Sequence, residues 1–455
     1  MNKGKSRELD MIHGSLGDKI LIFALPLAAT GILQQLFNAA DVAVVGQFAG
    51  KNAMAAVGSN SPVVSLMLSL FLGVSLGANV VISKYTGQRN EEGVKKAVHT
   101  AVLLAVICGV AMTIIGEIAA RPLLHLMQVP DEVMNLSVLY LRIYLIGMPV
   151  ILLYNFESAI FRSQGDTRTP LMCLIASGIT NVVLNLFFVL ICGMSVDGVA
   201  TATVIANCLS SGLLFYFLHR SKSHIRVRVH DLKLEGKILA EIIRIGVPAG
   251  FQGMLFSISN VIIQSGVNSL GADVMAASSA AFNIEIFCFY LVNAFGQACT
   301  TFIGQNYGAG DIKRCRKVTL IGELQNIVVA LMLSALILIF ARQLLQFFNS
   351  DPIVVKVGIV RLKYIVTFEF VNGTIEVMSG ALRGYGESLT PALVTFLGIC
   401  GVRIFWVATA FAAKHTFDVL MMSYPISWFV TTAVLFIVYF LQRDKLRHKV
   451  ERIEA

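Results

Sequence analysis

The sequence predicts an all-α integral membrane protein, with twelve transmembrane helices in two pseudo-symmetric lobes of six. Three observations support this fold class: an apolar composition, twelve long apolar stretches and an internal repeat. Of 455 residues, 56% are hydrophobic and 14% charged, and the mean hydropathy is +0.75. Soluble domains are about 45–50% apolar and about 25% charged. The composition therefore excludes a soluble enzyme, a disordered chain and a collagen-like fibre.

The apolar stretches are helical spans rather than strands of a membrane barrel. A transmembrane helix needs about 20 predominantly apolar residues, whereas a barrel strand shows about ten residues of alternating polarity. The stretches in this chain are continuous and long. They lie at 18–40, 53–83, 94–120, 134–158, 168–192, 196–218, 238–268, 274–303, 318–341, 354–380, 390–413 and 417–441.

An internal repeat relates the two halves of the chain. After the fourth span comes RSQGDTRTP (Arg162–Pro170), and after the tenth comes RGYGESLTP (Arg383–Pro391). With one offset of 221 the Arg, Gly, acid, hydroxyl, Thr and Pro superimpose. Matches flank this pair: Pro26 with Pro248 and Asn38 with Asn260 at an offset of 222, and Gly87-Gln88 with Gly304-Gln305.

The repeat predicts the domain organisation. Because six spans separate the equivalent first and seventh spans, both start on the same side of the membrane, and the repeat is parallel. We expect an N-terminal lobe over 1–218, a cytoplasmic linker over 219–237 and a C-terminal lobe over 238–455. Two such bundles suit alternating access, in which the lobes rock about a central cleft.

The basic residues predict the orientation. With the N-terminus inside, twenty-six Lys and Arg residues fall in inward-facing segments and five in outward loops. The inward set includes Lys3, Lys5 and Arg7 of the leader. Such a bias places both termini in the cytoplasm. The net charge of +9 is thereby explained by topology, so no nucleic acid is needed as a partner; the cluster Arg220–Arg244 is a solvated linker or a site for anionic lipid.

Sequence motifs exclude several other classes. The eight cysteines form no C-x-x-C pair and the histidines show no ligand spacing, so we expect neither a metal site nor a disulfide framework. Neither Gly50-Lys51 nor Gly236-Lys237 has the upstream glycine of a phosphate-binding loop. Transport is therefore expected to use an ion gradient or the substrate's own gradient, with no bound cofactor.

The first span carries the strongest candidate for ion coupling. Asp41 lies about two-thirds of the way through it, with Asn38 and Gln34 on the same helix face. An acid at bilayer depth is costly and is a functional candidate by default. A carboxylate lined by amides can take up a proton or a small cation; the alternative is a solvated residue at the outer headgroups. Pro26 can kink this span, because it removes a backbone hydrogen bond.

Polar pairs in the fifth and sixth spans are further candidates. Asn181 and Asn185 lie one turn apart in the fifth span, and Thr203 and Asn207 do so in the sixth. Their side chains either line a binding site or hydrogen-bond between helices as structural contacts.

The C-terminal half contains its own charges at bilayer depth. Glu285 lies in the middle of the eighth span, and Glu369 and Glu376 share a face of the tenth. Glu285 and Glu369 are candidates for the cleft. Arg403 of the eleventh span is expected to neutralise Glu369 or Glu376 if it has a structural role.

These residues resemble the multidrug and toxic compound extrusion (MATE) transporters over essentially the whole chain. GQNYGAG (Gly304–Gly310) is similar to that family's G-Q-N-x-G-A-G signature. Arg383–Gly386 with Pro391, and the acid within Asn38–Gly46, are similar as well. The resemblance implies twelve helices in two lobes and antiport of bulky, often cationic organic compounds against H⁺ or Na⁺, in a bacterial inner membrane.

By position, Asp41 is similar to the family's coupling acid and Asn181 to its asparagine partner. Many members of the DinF-like branch have an acid where this chain has Asn185. The acid that the NorM-like branch has in the seventh span is missing near Phe256 and Ser257. The resemblance therefore favours a DinF-like member with coupling in the N-terminal lobe, to protons, while the missing acid at Asn185 leaves the choice between H⁺ and Na⁺ open.

Two other functions compete with the antiporter. A flippase for lipid-linked precursors is expected to need a strongly cationic cleft for pyrophosphate, whereas the cleft candidates here are mostly acids and amides. A membrane-embedded enzyme needs clustered nucleophile, base or metal ligands, and the spans contain no such cluster. We expect the protein to contact membrane lipids and to function as a monomer.

Overall fold

The computed structural model describes residues 9–127 and 129–454, with side chains as far as 441, and every regular element in these ranges is a helix. The predicted topology residues Lys3, Lys5 and Arg7 lie outside the described residues. Seven α-helices form the first half: α1 (Gly17–Val44), α2 (Lys51–Gly87), α3 (Glu91–Leu126), α4 (Asp131–Ile146), α5 (Met148–Ser163), α6 (Arg168–Leu186) and α7 (Val196–Arg220). Short π-helical segments, Val45–Ala49 and Phe187–Ile191, extend α1 and α6.

The second half is helical too. Its α-helices are α8 (Gly236–Asn268), α9 (Ala272–Gly308), α10 (Ile312–Ile339), α11 (Ala341–Phe348), α12 (Pro352–Ile365), α13 (Glu369–Gly384), α14 (Leu389–Thr395), α15 (Val402–Trp406) and α16 (Phe417–Glu454). A 3₁₀ turn, Val366–Phe368, joins α12 to α13, and another, Val229–Asp231, lies in the linker. π-Helical segments follow α14 (Phe396–Gly401) and α15 (Val407–Phe411).

Each of the twelve predicted spans coincides with one helix or with a chain of short helices. Within the described residues, ten helical segments are long and apolar enough to cross a membrane. The pair α4 and α5, bent by 50°, gives an eleventh. The bend falls at Gly147, where Pro149 at the start of α5 has no N–H to continue the hydrogen bonds of α4. The remaining predicted span is α12 with α13, which Arg361, Glu369 and Glu376 make more polar.

The backbone of the two halves repeats with the register read from the sequence. Three turns place a residue with positive φ at the same offset of 221: Gly50 (94°) and Gly271 (102°), Arg89 (54°) and Gly310 (80°), Gly165 (83°) and Gly386 (87°). The helices α2 and α9 both have 37 residues. Gly87 therefore corresponds to Gly308, and its predicted match with Gly304 is wrong.

The same turns end in equivalent helix caps. The Asn90 side chain accepts a hydrogen bond from the Gly93 N–H at the start of α3 (2.8 Å). The Asp311 side chain accepts one from the Arg314 N–H at the start of α10 (2.8 Å). Asn and Asp are favoured here because the side-chain oxygen pairs with a donor that the helix leaves free.

The chain divides into two compact units. The N-terminal unit contains Ala29–Gly250 with Leu9, and the C-terminal unit contains Asp10–Ala28 with the chain from Phe251 onward. The two boundaries within helices fall two residues after Pro26 in α1 and two residues after Pro248 in α8.

Close backbone contact holds the start of α8 within the N-terminal unit. A Cβ at Gly77 would lie 2.4 Å from the Ile242 oxygen, and one at Gly250 would lie 2.4 Å from the Leu70 oxygen. Small residues permit this approach, as they do in membrane helix pairs generally. The preceding linker also packs on this unit, because Ile225 and Val227 belong to its hydrophobic core.

Candidate ion-binding site

Asp41 lies in the last turn of α1 and is buried, with 5% of its surface exposed. Both carboxylate oxygens accept hydrogen bonds from other helices. The Asn185 Nδ2 of α6 donates to Oδ1 (2.5 Å), and the Thr203 hydroxyl of α7 donates to Oδ2 (3.2 Å). The acid is therefore positioned by two neutral donors, and no basic residue in the described part of the chain forms an ion pair with it.

Asn181 completes a closed ring of hydrogen bonds. Its Oδ1 accepts from the Asn185 Nδ2 (3.2 Å), and its Nδ2 donates to the Thr203 hydroxyl oxygen (3.3 Å). The spacing of four places Asn181 and Asn185 on one face of α6, which explains why both reach the acid. The sequence prediction had identified all four residues of this ring: Asp41, Asn181, Asn185 and Thr203.

The ring contains an unused acceptor. Asn185 is fully buried, and its Oδ1 has no hydrogen-bond partner among the described residues. Leaving a buried polar atom unpaired costs about 1–3 kcal/mol. The carboxylate, amide and hydroxyl oxygens of the ring are the ligand type that hard cations prefer. The ring can thus hold a proton on the carboxyl group or a small cation between the oxygens.

Two tyrosines on α4 complete the surroundings, and the sequence reasoning missed them. Tyr140 and Tyr144 stack with ring centroids 6.3 Å apart, and both lie within electrostatic range of Asp41. Their signal in the sequence is a pair of hydroxyl-bearing aromatics one turn apart in a span. Such residues usually find a polar partner when buried.

The other predicted residues of the N-terminal half lie outside the ring. The Asn207 Nδ2 donates to the backbone oxygen of Thr203 (2.8 Å), one turn away in α7. Gln34 is half-buried and Asn38 exposed, and neither has a hydrogen bond to the ring. Pro26 lies inside α1, four turns before the acid.

In the C-terminal unit, Glu285 of α9 is bound by an arginine that the sequence reasoning missed. Arg361 of α12 donates from Nη2 to Oε1 (2.5 Å) and from Nε to Oε2 (3.1 Å). Its Nη1 donates to the Ser278 hydroxyl (2.5 Å). This bidentate pair is almost completely buried. A basic residue inside a predicted span was the available signal.

Glu369 and Glu376 have different partners. The Glu369 Oε1 accepts from the Asn372 Nδ2 (2.8 Å) on its own helix. Glu376 forms an ion pair with Arg383 (3.6 Å) and accepts from Asn293 (3.2 Å). The two predicted cleft acids, Glu369 and Glu285, therefore accept hydrogen bonds from different residues.

The predicted ion pair of Arg403 with Glu369 or Glu376 was wrong. Arg403 donates to the side-chain oxygens of Ser427 (3.2 Å), Ser259 (3.3 Å) and Asn260 (3.1 Å). Its guanidinium lies over the Tyr424 ring, 4.2 Å from the centroid. Neutral acceptors and an aromatic face therefore hold this buried cation, instead of a hydrogen-bonded carboxylate.

Comparison with known proteins identifies the family. The MatE family profile matches residues 26–187 and 248–409, two segments of equal length that start at the equivalent prolines. The chain belongs to the MatE family. MatE proteins are transporters, so the chain is a multi-pass membrane transporter rather than an enzyme. The resemblance read from the sequence is confirmed.

Individual MatE relatives cover most of the chain. It is 29% identical over 404 residues to the probable multidrug resistance protein YoeA of Bacillus subtilis, covering 87% of this chain and 86% of that protein. It is 28% identical over 394 residues to the probable multidrug resistance protein NorM of Thermotoga maritima, covering 85% and 84%.

A solved structure confirms the fold. The crystal structure of a MATE protein in the bent conformation has a TM-score of 0.90 at 22% sequence identity, covering 99% of this chain and 100% of that one. The predicted twelve-helix MatE fold is thereby confirmed.

Proposed function

We propose that the protein is a secondary antiporter that exports bulky, often cationic organic compounds in exchange for H⁺ or Na⁺. The observation that carries the coupling is the closed ring around buried Asp41, with its unpaired Asn185 oxygen. The substrate class is supported by the names of the relatives, which are probable multidrug resistance proteins.

A proton changes the ring in a defined way. The ionised Asp41 only accepts hydrogen bonds, whereas the protonated acid also donates one. The Asn185 amide, which now donates to Asp41, can then rotate and present its free Oδ1 to the new O–H. The contact between α1 and α6 therefore differs between the ionised acid, which accepts from the Asn185 amide, and the protonated acid, which donates to it.

Protons are favoured over Na⁺ as the coupling ion. The ring has one carboxylate, with Asn185 at the place where a second acid would add charge. One proton or one Na⁺ would cancel this single negative charge, but a proton needs only one carboxylate oxygen. A Na⁺ ion would need its remaining ligands from Asn181, Asn185 and Thr203, which the ring offers in smaller number than a hard cation usually takes.

The proposed cycle uses the first span as the moving element. Asp41 takes up a proton from the exterior, α1 shifts about Pro26, and the lobes 1–218 and 238–455 rock so that substrate leaves. Return to the inward-open state releases the proton to the cytoplasm. Gln34, Asn38 and Asn207 are the residues we propose to contact substrate, because they are polar and less buried than Asp41, Asn181 and Asn185 of the ring.

The proposal includes the setting of the protein. The excess of basic residues in alternate loops supports cytoplasmic termini in a bacterial inner membrane, and a single copy contains the complete ring. Glu285 and Glu369 are proposed to stabilise the C-terminal unit rather than to bind substrate, because their side chains have protein partners.

The test measures efflux of a fluorescent cationic dye from proteoliposomes, with pH and Na⁺ gradients imposed separately. We compare the wild type with Asp41→Asn, which keeps the size of the side chain but cannot ionise. Asp273→Asn is the matched control, because this exposed acid lies in the first turn of α9, outside the ring.

Transport driven by the pH gradient in wild type and Asp273→Asn, and lost in Asp41→Asn, would support the proposal. Transport driven by Na⁺ alone and unaffected by Asp41→Asn would place coupling in the C-terminal unit. If neither gradient drives dye transport, the flippase for lipid-linked precursors becomes the stronger hypothesis.

A further inference from the structure

The repeat makes Arg403 the counterpart of Asn181. The offset between the halves is 221 at Pro170 and Pro391, just before the helices concerned. The π-helical segment Phe396–Gly401 then inserts into the second repeat, and a π-bulge adds one residue to a helix. Beyond this segment the offset is 222, which is also the offset between the last residues of the two family matches, 187 and 409. An amide ligand of the N-terminal ring thus corresponds to a guanidinium.

The neighbours of Arg403 come from equivalent spans. Asn181 lies in a cluster built by α1, α6 and α7, and Arg403 contacts α8 and α16 from α15. The helices α4 and α12 start 221 residues apart, as do α7 and α16. Tyr140 therefore corresponds to Arg361, and Thr203 corresponds to Tyr424.

The acid of the N-terminal ring has no counterpart. The position equivalent to Asp41 is Ile263, which is buried, 1% exposed. At equivalent points, the N-terminal unit therefore has an acid among neutral groups, whereas the C-terminal unit has two arginines. At the aligned positions, the sign of the charged side chain therefore differs between the repeats.

The charges of the C-terminal cluster balance. Glu285 pairs directly with Arg361, and Glu369 lies within electrostatic range of both Glu285 and Arg403. No ion pair joins Arg403 to Glu369 in the described part of the chain, so these two arginines and two glutamates balance in number only. A buried charge left without a partner is strongly destabilising. If Arg403 were neutral, this group of four would carry one negative charge without a balancing cation.

We propose that Arg403 is a resident cation, which takes in the C-terminal unit the place that the exchangeable ion takes in the N-terminal unit. The C-terminal unit then exchanges no ion, and one coupling ion moves in each transport cycle. In this scheme Arg403 determines how many ions are exchanged in each cycle. The scheme rests on the proposed coupling at Asp41.

The test counts cations bound by the full-length protein in detergent, by difference potentiometric titration for H⁺ and by equilibrium binding of radiolabelled Na⁺. Arg403→Asn copies the residue of the N-terminal unit, and Arg403→Lys is the matched control that keeps the charge. Arg403→Asn with Glu369→Gln removes the acid that would attract the new cation. Each variant is also made with Asp41→Asn.

We expect one Asp41-dependent cation in the wild type and in Arg403→Lys. Arg403→Asn should bind one more, which persists with Asp41→Asn and disappears with Glu369→Gln. The inference is overturned if Arg403→Asn binds no additional cation, or if the wild type binds a second one that survives Asp41→Asn. Even if Arg403→Asn does not fold, a second wild-type cation that survives Asp41→Asn would overturn the inference.

A transport measurement gives an independent reading. With the membrane potential clamped at zero, a tenfold ion gradient balances a roughly tenfold substrate gradient for one ion per cycle and a roughly hundredfold gradient for two. A roughly hundredfold gradient in the wild type would overturn the inference. If Asp41→Asn alters neither binding nor transport, the proposed function fails, whereas the additional cation in Arg403→Asn still tests the role of Arg403.

Discussion

The two units bury charge at equivalent points of the repeat but satisfy it differently. The N-terminal ring holds Asp41 with neutral donors and leaves the Asn185 oxygen unpaired. In the C-terminal unit, Arg361 donates to Glu285 through two groups and to Ser278 through the third. An under-satisfied site can change its partner during a transport cycle, whereas a saturated ion pair resists change. In a duplicated fold, one copy can therefore hold an exchangeable ion while the other keeps a fixed ion pair.

The largest expected effect comes from breaking the saturated site. Arg361→Ala leaves Glu285 buried without a counter-ion, and such a loss costs about 3–5 kcal/mol. We expect a marked fall in thermal stability in detergent, measured by the unfolding of purified protein. The control is the double variant Arg361→Met with Glu285→Gln, which removes both charges and should recover most of the stability. Equal instability of the two variants would contradict a role based on charge.

A second prediction asks whether the units differ in packing as well as in charge. A Cβ at Gly77 would lie 2.4 Å from the Ile242 oxygen, and one at Gly380 would lie 2.2 Å from the Gly296 oxygen. Gly77→Ala and Gly380→Ala should therefore each destabilise by about 1–3 kcal/mol, the usual cost of overpacking.

The matched control for both glycines is Gly58→Ala at the eighth residue of α2, where nothing lies within 4 Å of the new Cβ. Here the gain in helix propensity should dominate, at about 1 kcal/mol of stabilisation. Thermal unfolding in detergent measures all three variants. A large loss in one unit alone would show that the units differ in backbone packing, and would weaken the view that charge is their main difference.

The sequence predicted most of the fold and about half of the charged network, for physical reasons. Spans follow from apolar length, so all twelve were located. The breaks at Gly147 and at Val366–Phe368 were not predicted, because a bend inside an apolar stretch barely changes its hydropathy. The Asp41 ring was within reach, because helical spacing already places Asn181 and Asn185 on one face.

Pairing across helices was harder to predict. Which acid meets which arginine depends on helix rotation and depth, which hydropathy does not determine. Arg361 therefore went unnoticed, and Arg403 was assigned to the wrong partners. The repeat offered only part of the missing information: aligning Arg361 with Tyr140 marks it as part of the equivalent cluster, but its partner Glu285 lies in α9, the second span of its half.

A third prediction probes the adjustable site. Thr203→Val removes the hydroxyl that donates to Asp41 Oδ2 but keeps the shape of the side chain. A hydrogen bond to a charged group contributes about 1.5–3 kcal/mol, so the apparent affinity for the coupling ion should change by roughly tenfold or more. Thr203→Ser, which keeps the hydroxyl, should behave like the wild type. Dye efflux against ion concentration gives the affinity, and identical curves for Val and Ser would exclude Thr203 from the site.

The smallest effect is expected where charge is solvated, on the linker that packs against the N-terminal unit. The Lys95 ammonium beside Asp231 (2.8 Å) holds the pKa of that carboxyl below its ordinary value of 3.8. A lowered carboxyl pKa stabilises the folded state above the ordinary value, and this contribution disappears as the pH falls through the folded value. Lys95→Ala should therefore lower the melting temperature only slightly at neutral pH.

Salt separates this solvated pair from the buried ones, because the screening length for exposed charges falls to about 3 Å at 1 M salt, close to the separation of the pair. The small difference between Lys95→Ala and the wild type should disappear at high salt and in acid. The loss in Arg361→Ala should persist in salt, because water and ions do not reach a buried pair. Melting curves at two salt concentrations measure both. A salt-sensitive Arg361→Ala would mean that water reaches the pair with Glu285, and the contrast between a rigid and an exchangeable repeat would then have to be abandoned.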